Sequence, residues 1–346
     1  MKKRATLKDV AREAGVSPAT VSYVFNGKKS ISKETQQRVR AAIEKLNYVP
    51  SLSARSLSTR GASKLIGVVI PQTEPGSRLM FENSFYSEIV GSIEYQARLR
   101  GYHVIISATD ANESYLRLAQ ERNLEGIIVI GMYPDKFYQQ MKESQIPIVL
   151  VDSYCNDHYY HNVRIDDQYG SYLATNYVLE QGHRNVAFFC GKLRDNGVMK
   201  KRLLGYKEAL SEMGLPFRKD FVFEGQIDYD SGVEMAQRFA QEKVPATAIV
   251  TAADILAIGV MKGLYESGVR VPDDVSVMGF DDLQISAYLT PGLTTVRQDI
   301  SRKGEVAVEL LFKNLQEPGL TKQEQILPLK LVERESIRRL PTKNEA

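Results

Sequence analysis

Asp152 closes the apolar run IVLV and Asp281 closes VSVMGF, so two carboxylates stand at the C-terminal tips of two β-branched strands. Arg202, in KKRLLGY, falls in the first turn of a helix. A carboxylate accepts two hydroxyl hydrogen bonds, and a guanidinium forks across two hydroxyls or one carboxylate, so this trio suits a polyhydroxylated ligand. Structural roles stay open for each: a strand-end Asp can cap a loop, and a helix Arg can simply face water. A second chemistry lies in residues 6 to 26, TLKDVAREAGVSPATVSYVFN. Thr6 and Asp9 form a capping pair, and Leu7, Val10, Ala11 and Ala14 recur on one helical face. Gly15 permits a sharp turn, Ser17 is a good N-cap, and Pro18 occupies a first helical position where its missing N–H costs nothing. The spacing predicts a second helix with Val21, Val24 and Phe25 inward. Pro18, Ala19, Ser22 and Tyr23 are left near its outward N-terminal end, where a recognition helix meets base edges.

The elements that must position these groups begin with a third helix, capped by Ser32 and apolar at Val39, Ile43 and Leu46. Charge sets this three-helix head apart. Residues 1 to 60 hold 13 Lys and Arg against 4 Asp and Glu, a net +9, while the remaining chain holds 32 against 38, a net −6. A basic head on a mildly acidic body points to nucleic acid as the head's partner. Asn47 to Arg60 is Ser-rich, with Leu52, Ala54 and Leu57 as its apolar set. So short a helix needs something to pack against.

From residue 64 the pattern alternates strand and helix. Leu65 to Ile70, Val104 to Ser107, Ile127 to Ile130 and Ile148 to Val151 read as strands, with helices at Phe85 to Arg100 and Lys136 to Glu143. The pattern restarts with strands at Val186 to Phe189, Phe221 to Phe223, Ala248 to Val250 and Val275 to Gly279. Helices accompany them at Tyr169 to Gln181, Arg202 to Met213, Ser231 to Gln241 and Ile255 to Glu266. Continuous apolar strands between helices predict parallel sheets covered on both faces, hence two doubly wound lobes in series. A strand at 293 to 298, a helix at Ser301 to Leu315 and one last strand at Ile326 to Val332 can cross back between the lobes.

Composition narrows the class. At 346 residues, 43% hydrophobic and 25% charged, the chain reads as a soluble globular protein of two or three domains. Cys155 and Cys190 make no disulfide framework and no paired metal spacing, which fits a reducing, cytoplasmic setting. No apolar run has signal-peptide or membrane-spanning length. The chain lacks a Gly-rich phosphate loop, GxSxG, HExxH and Cys-x-x-Cys, which argues against the alternative of an α/β enzyme acting on a small polar metabolite. His158 and His161 are close enough for a metal pair but have no third ligand in view, so no metal site and no cofactor is expected.

TLKDVAREAGVSPATVSYVFNG and the trailing NYVPSLSARSL closely resemble the N-terminal domain of the lactose repressor/galactose repressor family of bacterial transcription factors, and weaker matches run to about residue 338. The resemblance implies a helix-turn-helix domain at 1–50, a hinge helix or linker at 51–61, and an effector-binding and dimerisation domain at 62–338. That body has the architecture of periplasmic binding proteins, with lobes at roughly 62–165 plus 297–325 and 166–296 plus 326–338. It implies a homodimer reading a pseudo-palindromic double-stranded operator, with Thr6, Ser17, Pro18, Ala19, Thr20, Ser22, Tyr23 and Asn26 on the DNA side. Hinge segments in that family form paired helices on the operator, which brings Ala54, Arg55 and Leu57 to DNA, Leu57 as a minor-groove wedge. Arg202, with Gly205 and Tyr206, matches the Arg-x-x-Gly-aromatic signature, and Asp281 the effector-binding aspartate of Gly-aromatic-Asp-Asp. The expected effector set is Phe85, Asp152, Arg202, Tyr229, Asp254, Asp281 and Gln298, with Arg202 and Asp281 on opposite walls and a sugar or sugar derivative as ligand. The implied function is a repressor of carbohydrate-utilisation genes. Departures are Ala253 before Asp254, where Asn is usual, and a longer first loop at Pro71 to Ser84, in which Asn83-Ser84-Phe85-Tyr86 lacks the usual proline. No C-terminal Leu heptad supports a coiled-coil tetramer.

Overall fold

The computed structural model describes residues 5–25, 31–46, 48, 63–71, 83–109, 119, 121–142, 146–155 and 160–341. Asn26, Ala54, Arg55, Leu57 and His158 lie outside the described residues.

The chain divides into units at Met1–Lys64 and Leu65–Ala346. In the first, α1 (Leu7–Ala14) starts with the Thr6–Asp9 capping box and ends at Gly15, whose φ of 64° is left-handed. Helix α2 (Pro18–Phe25) starts after Ser17, whose Oγ accepts from Thr20 N at 3.1 Å. Helix α3 (Lys33–Leu46) starts after Ser32, which accepts from Thr35 N. Val10, Ala11, Ala14, Val21, Val39, Ala42 and Tyr48 form the core, with Val24, Ile43 and Leu46 packed against it.

The second unit contains two six-stranded sheets. In lobe one the order is β11-β5-β4-β3-β1-β2, from β1 (Leu65–Pro71), β2 (His103–Thr109), β3 (Gly126–Ile130), β4 (Ile148–Val151), β5 (His161–Ile165) and β11 (Glu324–Leu327). In lobe two it is β12-β10-β9-β8-β6-β7, from β6 (Val186–Gly191), β7 (Val222–Gly225), β8 (Ala248–Thr251), β9 (Ser276–Asp281), β10 (Thr294–Gln298) and β12 (Leu329–Val332). Every pairing is parallel except that of β12 with β10. Helices α4 (Ser84–Leu99), α5 (Asp135–Lys142) and α10 (Ile300–Gln316) belong to lobe one. Helices α6 (Asp167–Glu180), α7 (Val198–Glu212), α8 (Tyr229–Gln241) and α9 (Asp254–Glu266) belong to lobe two. Fully apolar strands such as β3 and β4 are buried along their whole length, as a sheet sandwiched between helices requires.

The chain crosses between lobes three times, after β5, after β10 and after β11. The tail departs from the sequence expectation. Instead of one strand at Ile326 to Val332, there are two short strands in different sheets, parted by Pro328. Proline has no N–H to give a ladder, so the continuous strand is broken where the chain changes lobes. Strand β5, absent from the predicted set, supplies the first crossing. Its sequence, HNVRI, is polar at three of five positions and lacks the apolar run that revealed its neighbours.

Candidate functional site

At the strand tips and crossings the structure gathers a buried charged cluster. Asp152 follows β4 and Asp281 ends β9, and both have positive φ, 54° and 124°. A non-glycine residue held in such a conformation costs on the order of 1–3 kcal/mol, a strain characteristic of functional positions. In lobe one, Lys303 in the first turn of α10 is fully buried. Its ammonium donates to both Asp152 oxygens at 2.7 and 2.8 Å and to Gln298 Oε1 at 2.5 Å. Gln298, the last residue of β10, then donates through Nε2 to Asp281 Oδ1 in lobe two at 2.5 Å. Beside it Arg202, 5% exposed, holds Asp167 Oδ1 through Nε at 2.9 Å and Nη2 at 2.8 Å. Arg202 also donates to the Ala252 carbonyl and lies 3.7 Å over the Phe280 ring. Tyr154 of lobe one closes the circuit, its hydroxyl donating to Asp167 Oδ2 at 2.7 Å.

The placement of Arg202 traces to Gly205, one turn later on α7. A Cβ there would lie 1.9 Å from the Gln168 carbonyl oxygen, so only glycine lets α6 pack this closely. That approach sets the α6 residue Asp167 against the guanidinium. Arg202 and Asp281, expected on opposite walls, lie in one lobe with Nη1 and Oδ1 3.8 Å apart. Both project from lobe two: Arg202 from the second turn of α7, which starts at Val198 and so earlier than the sequence reading placed it, and Asp281 from the tip of β9.

Electrostatics follow from burial. Desolvation lifts the Asp281 carboxyl to about 7, against the pull of Arg202, and Asp254 adds to the rise. Asp152 is also raised by burial, although Lys303 opposes it. Burial disfavours the Arg202 cation, but Asp167, Asp281 and Asp152 more than compensate and its pKa rises. The Tyr86 hydroxyl is pushed up to about 12, first by burial and then by the charges of Asp152 and Asp281.

Of the expected effector residues, Asp152, Arg202, Asp281 and Gln298 come together, and Phe85 joins them with its ring 5.5 Å from Lys303 Nζ. Asp254 has a different place. It is fully buried, taking Thr295 Oγ1 on Oδ1 and Leu283 N and Ser286 Oγ on Oδ2, which ties the start of α9 to β10 and to the turn between β9 and β10. With three internal donors the carboxylate is a framework group, which corrects its assignment to the ligand. Tyr229 opens α8, half-buried, and makes no hydrogen bond or ring contact with the cluster among the described residues. Lys303, Asp167, Tyr154 and Tyr86 were not in the predicted set. Lys303 had a sequence signal: it is a lone lysine on the face that α10 buries with Ile300, Gly304, Ala307 and Leu311.

In the head, Ser17, Pro18, Ala19 and Tyr23 are exposed, and Thr20 and Ser22 half-buried. Thr6 serves the capping box, its hydroxyl donating to Asp9 at 2.6 Å. His161 accepts Gln323 N on Nδ1 inside lobe one. No group of metal-ligating side chains is found among the described residues.

Residues 6–51 match the family model for bacterial regulatory proteins of the lacI family, and residues 175–337 match a periplasmic binding protein-like domain. Catabolite control protein A of Priestia megaterium is 34% identical over 336 residues, covering 96% of this chain and 98% of that protein. The HTH-type transcriptional repressor PurR of Vibrio atlanticus is 32% identical over 342 residues, covering 97% and 99%. Among solved structures, the lac repressor dimer bound to operator and the anti-inducer ONPF superposes with a TM-score of 0.79 at 28% identity, covering 97% of this chain and 100% of that one. The complex of the transcriptional regulator CelR with cellobiose gives 0.70 at 28% identity, covering 96% and 100%.

Proposed function

Because this chain belongs to the lacI family of bacterial regulatory proteins, we propose that it is a dimeric, cytoplasmic DNA-binding repressor. Its operator affinity is set by a carbohydrate bound at the cluster of Arg202, Asp281, Asp152 and Gln298. The observation that carries this reading is the hydrogen-bonded chain from Lys303 through Gln298 to Asp281, which joins the two lobes at a crossing. A ligand hydroxyl that engages Asp281 or Arg202 competes with that chain and so changes how the lobes are held. Such a ligand shifts operator affinity by its differential binding to the two lobe arrangements, and no further. Ser22 and Tyr23 project from α2 as base-reading groups, and Leu57 acts as the hinge wedge. Two heads related by a two-fold axis read a pseudo-palindrome. No catalytic step is assigned to this cluster.

Selection of random duplexes by the full-length protein tests this. A two-fold symmetric site, bound with an affinity that falls steeply with salt and changes on adding the cognate sugar, is the expected result. An asymmetric or absent consensus, or turnover of the bound sugar, refutes it.

A further inference from the structure

The buried cluster holds three carboxylates, Asp152, Asp167 and Asp281, and two cations, Arg202 and Lys303, all 9% exposed or less. Both cations are already neutralised. Lys303 has three ammonium donors and three acceptors, the two Asp152 oxygens and Gln298 Oε1. Arg202 is held on two sides by Asp167 and the Ala252 carbonyl. Groups left open to a ligand are of another kind. Asp281 Oδ2 and the partly buried Tyr86 hydroxyl have no hydrogen bond among the described residues, and Arg202 keeps spare N–H donors. An acceptor, a hydroxyl and spare donors match the donor-and-acceptor character of alcohol groups.

Resting on the carbohydrate reading above, we infer that this cluster takes an uncharged polyhydroxylated ligand and rejects its phosphorylated or carboxylated counterpart. An added anion finds no cation without a carboxylate already on it: Arg202 holds Asp167 and Lys303 holds Asp152. It would add a further negative charge to a buried set of three carboxylates against two cations. Burial likewise raises the Asp281 carboxyl, in keeping with a site that disfavours ionised oxygens. Like charges brought together without water lower affinity by roughly a hundredfold.

The test uses full-length protein and matched compounds: glucose, glucose 6-phosphate and glucuronate; ribose and ribose 5-phosphate; mannitol and mannitol 1-phosphate; cellobiose alone. Thermal stabilisation finds binders and calorimetry ranks them. Competition against the neutral binder separates anions at the cluster from anions on the basic head, because only the former displace it. The expected result is a neutral binder whose phosphate or carboxylate competes about a hundredfold more weakly. Asp152→Asn, which leaves Lys303 without its counter-charge, should narrow that ratio. A phosphorylated or acidic sugar that competes as well as its parent overturns the charge argument while leaving the carbohydrate reading intact. No binding by any compound overturns the carbohydrate reading, and this inference with it.

Discussion

Replacing Lys303 by Met removes the cation while keeping an apolar stem of similar length. The consequence falls on Asp152, which is 9% exposed and receives two hydrogen bonds from Lys303. Breaking a buried ion pair from one side costs about 3–5 kcal/mol, because the remaining charge is left in a low-dielectric site. Protonation limits the loss: burial already raises the Asp152 pKa, so the variant's Asp152 escapes by taking up a proton. The deficit should therefore shrink as pH falls. Asp152→Asn alone strands a fully buried ammonium and should cost a similar amount. Lys303→Met with Asp152→Asn removes both charges and should cost well under the sum, giving a coupling of about 2–4 kcal/mol. Urea unfolding followed by far-UV circular dichroism suits a chain with 18 Tyr and no Trp. Additive losses within about 0.5 kcal/mol, or a loss below about 1 kcal/mol for Lys303→Met, would show that the pair does not hold the cluster.

Asp281 provides a pH test. Its folded-state pKa, about 7, lies above the ordinary 3.8, so its contribution to stability is complete below pH 3.8 and is lost as pH rises through 7. Asn cannot ionise, so the stability of Asp281→Asn relative to wild type should improve from pH 5 to pH 8, by at most about 1.4 kcal/mol per unit of the rise. A difference flat with pH would mean that the carboxyl is not desolvated. Gly205→Ala should destabilise the body by about 3 kcal/mol, since its Cβ would meet the backbone of Gln168 and Tyr172. Near-neutral stability with an unchanged sugar response would remove the close-packing argument. Ser22→Ala with Tyr23→Ala should change base preference in a duplex selection while altering stability by less than about 0.5 kcal/mol, because neither side chain is in the head core. An unaltered consensus would move recognition elsewhere.

The sequence by itself determined the parts whose cause is local. Capping Thr6, turn-forming Gly15 and Pro18 at a helix start write the head's helices within a few residues of one another, and apolar runs such as IVLV write buried parallel strands. Asp152 and Asp281 were legible as strand-tip carboxylates, and Arg202 through its signature. Only the tertiary structure decided what those groups face. Lys303 meets Asp152 across 151 positions in sequence and Arg202 meets Asp167 across 35. No short-range pattern records such pairings, because they arise from helix–helix approach and from the three crossings of the chain. The same holds for Asp254, which reads as a candidate ligand at a helix start but becomes a brace once Ser286 and Thr295 fold onto it. It holds too for Leu329–Val332, a strand by propensity whose place depends on Pro328 and on the open edge of β10. Residue type and spacing specify which groups can do chemistry. Which of them face a ligand and which face each other is set by the packing of distant elements, where burial fixes the value of every charge.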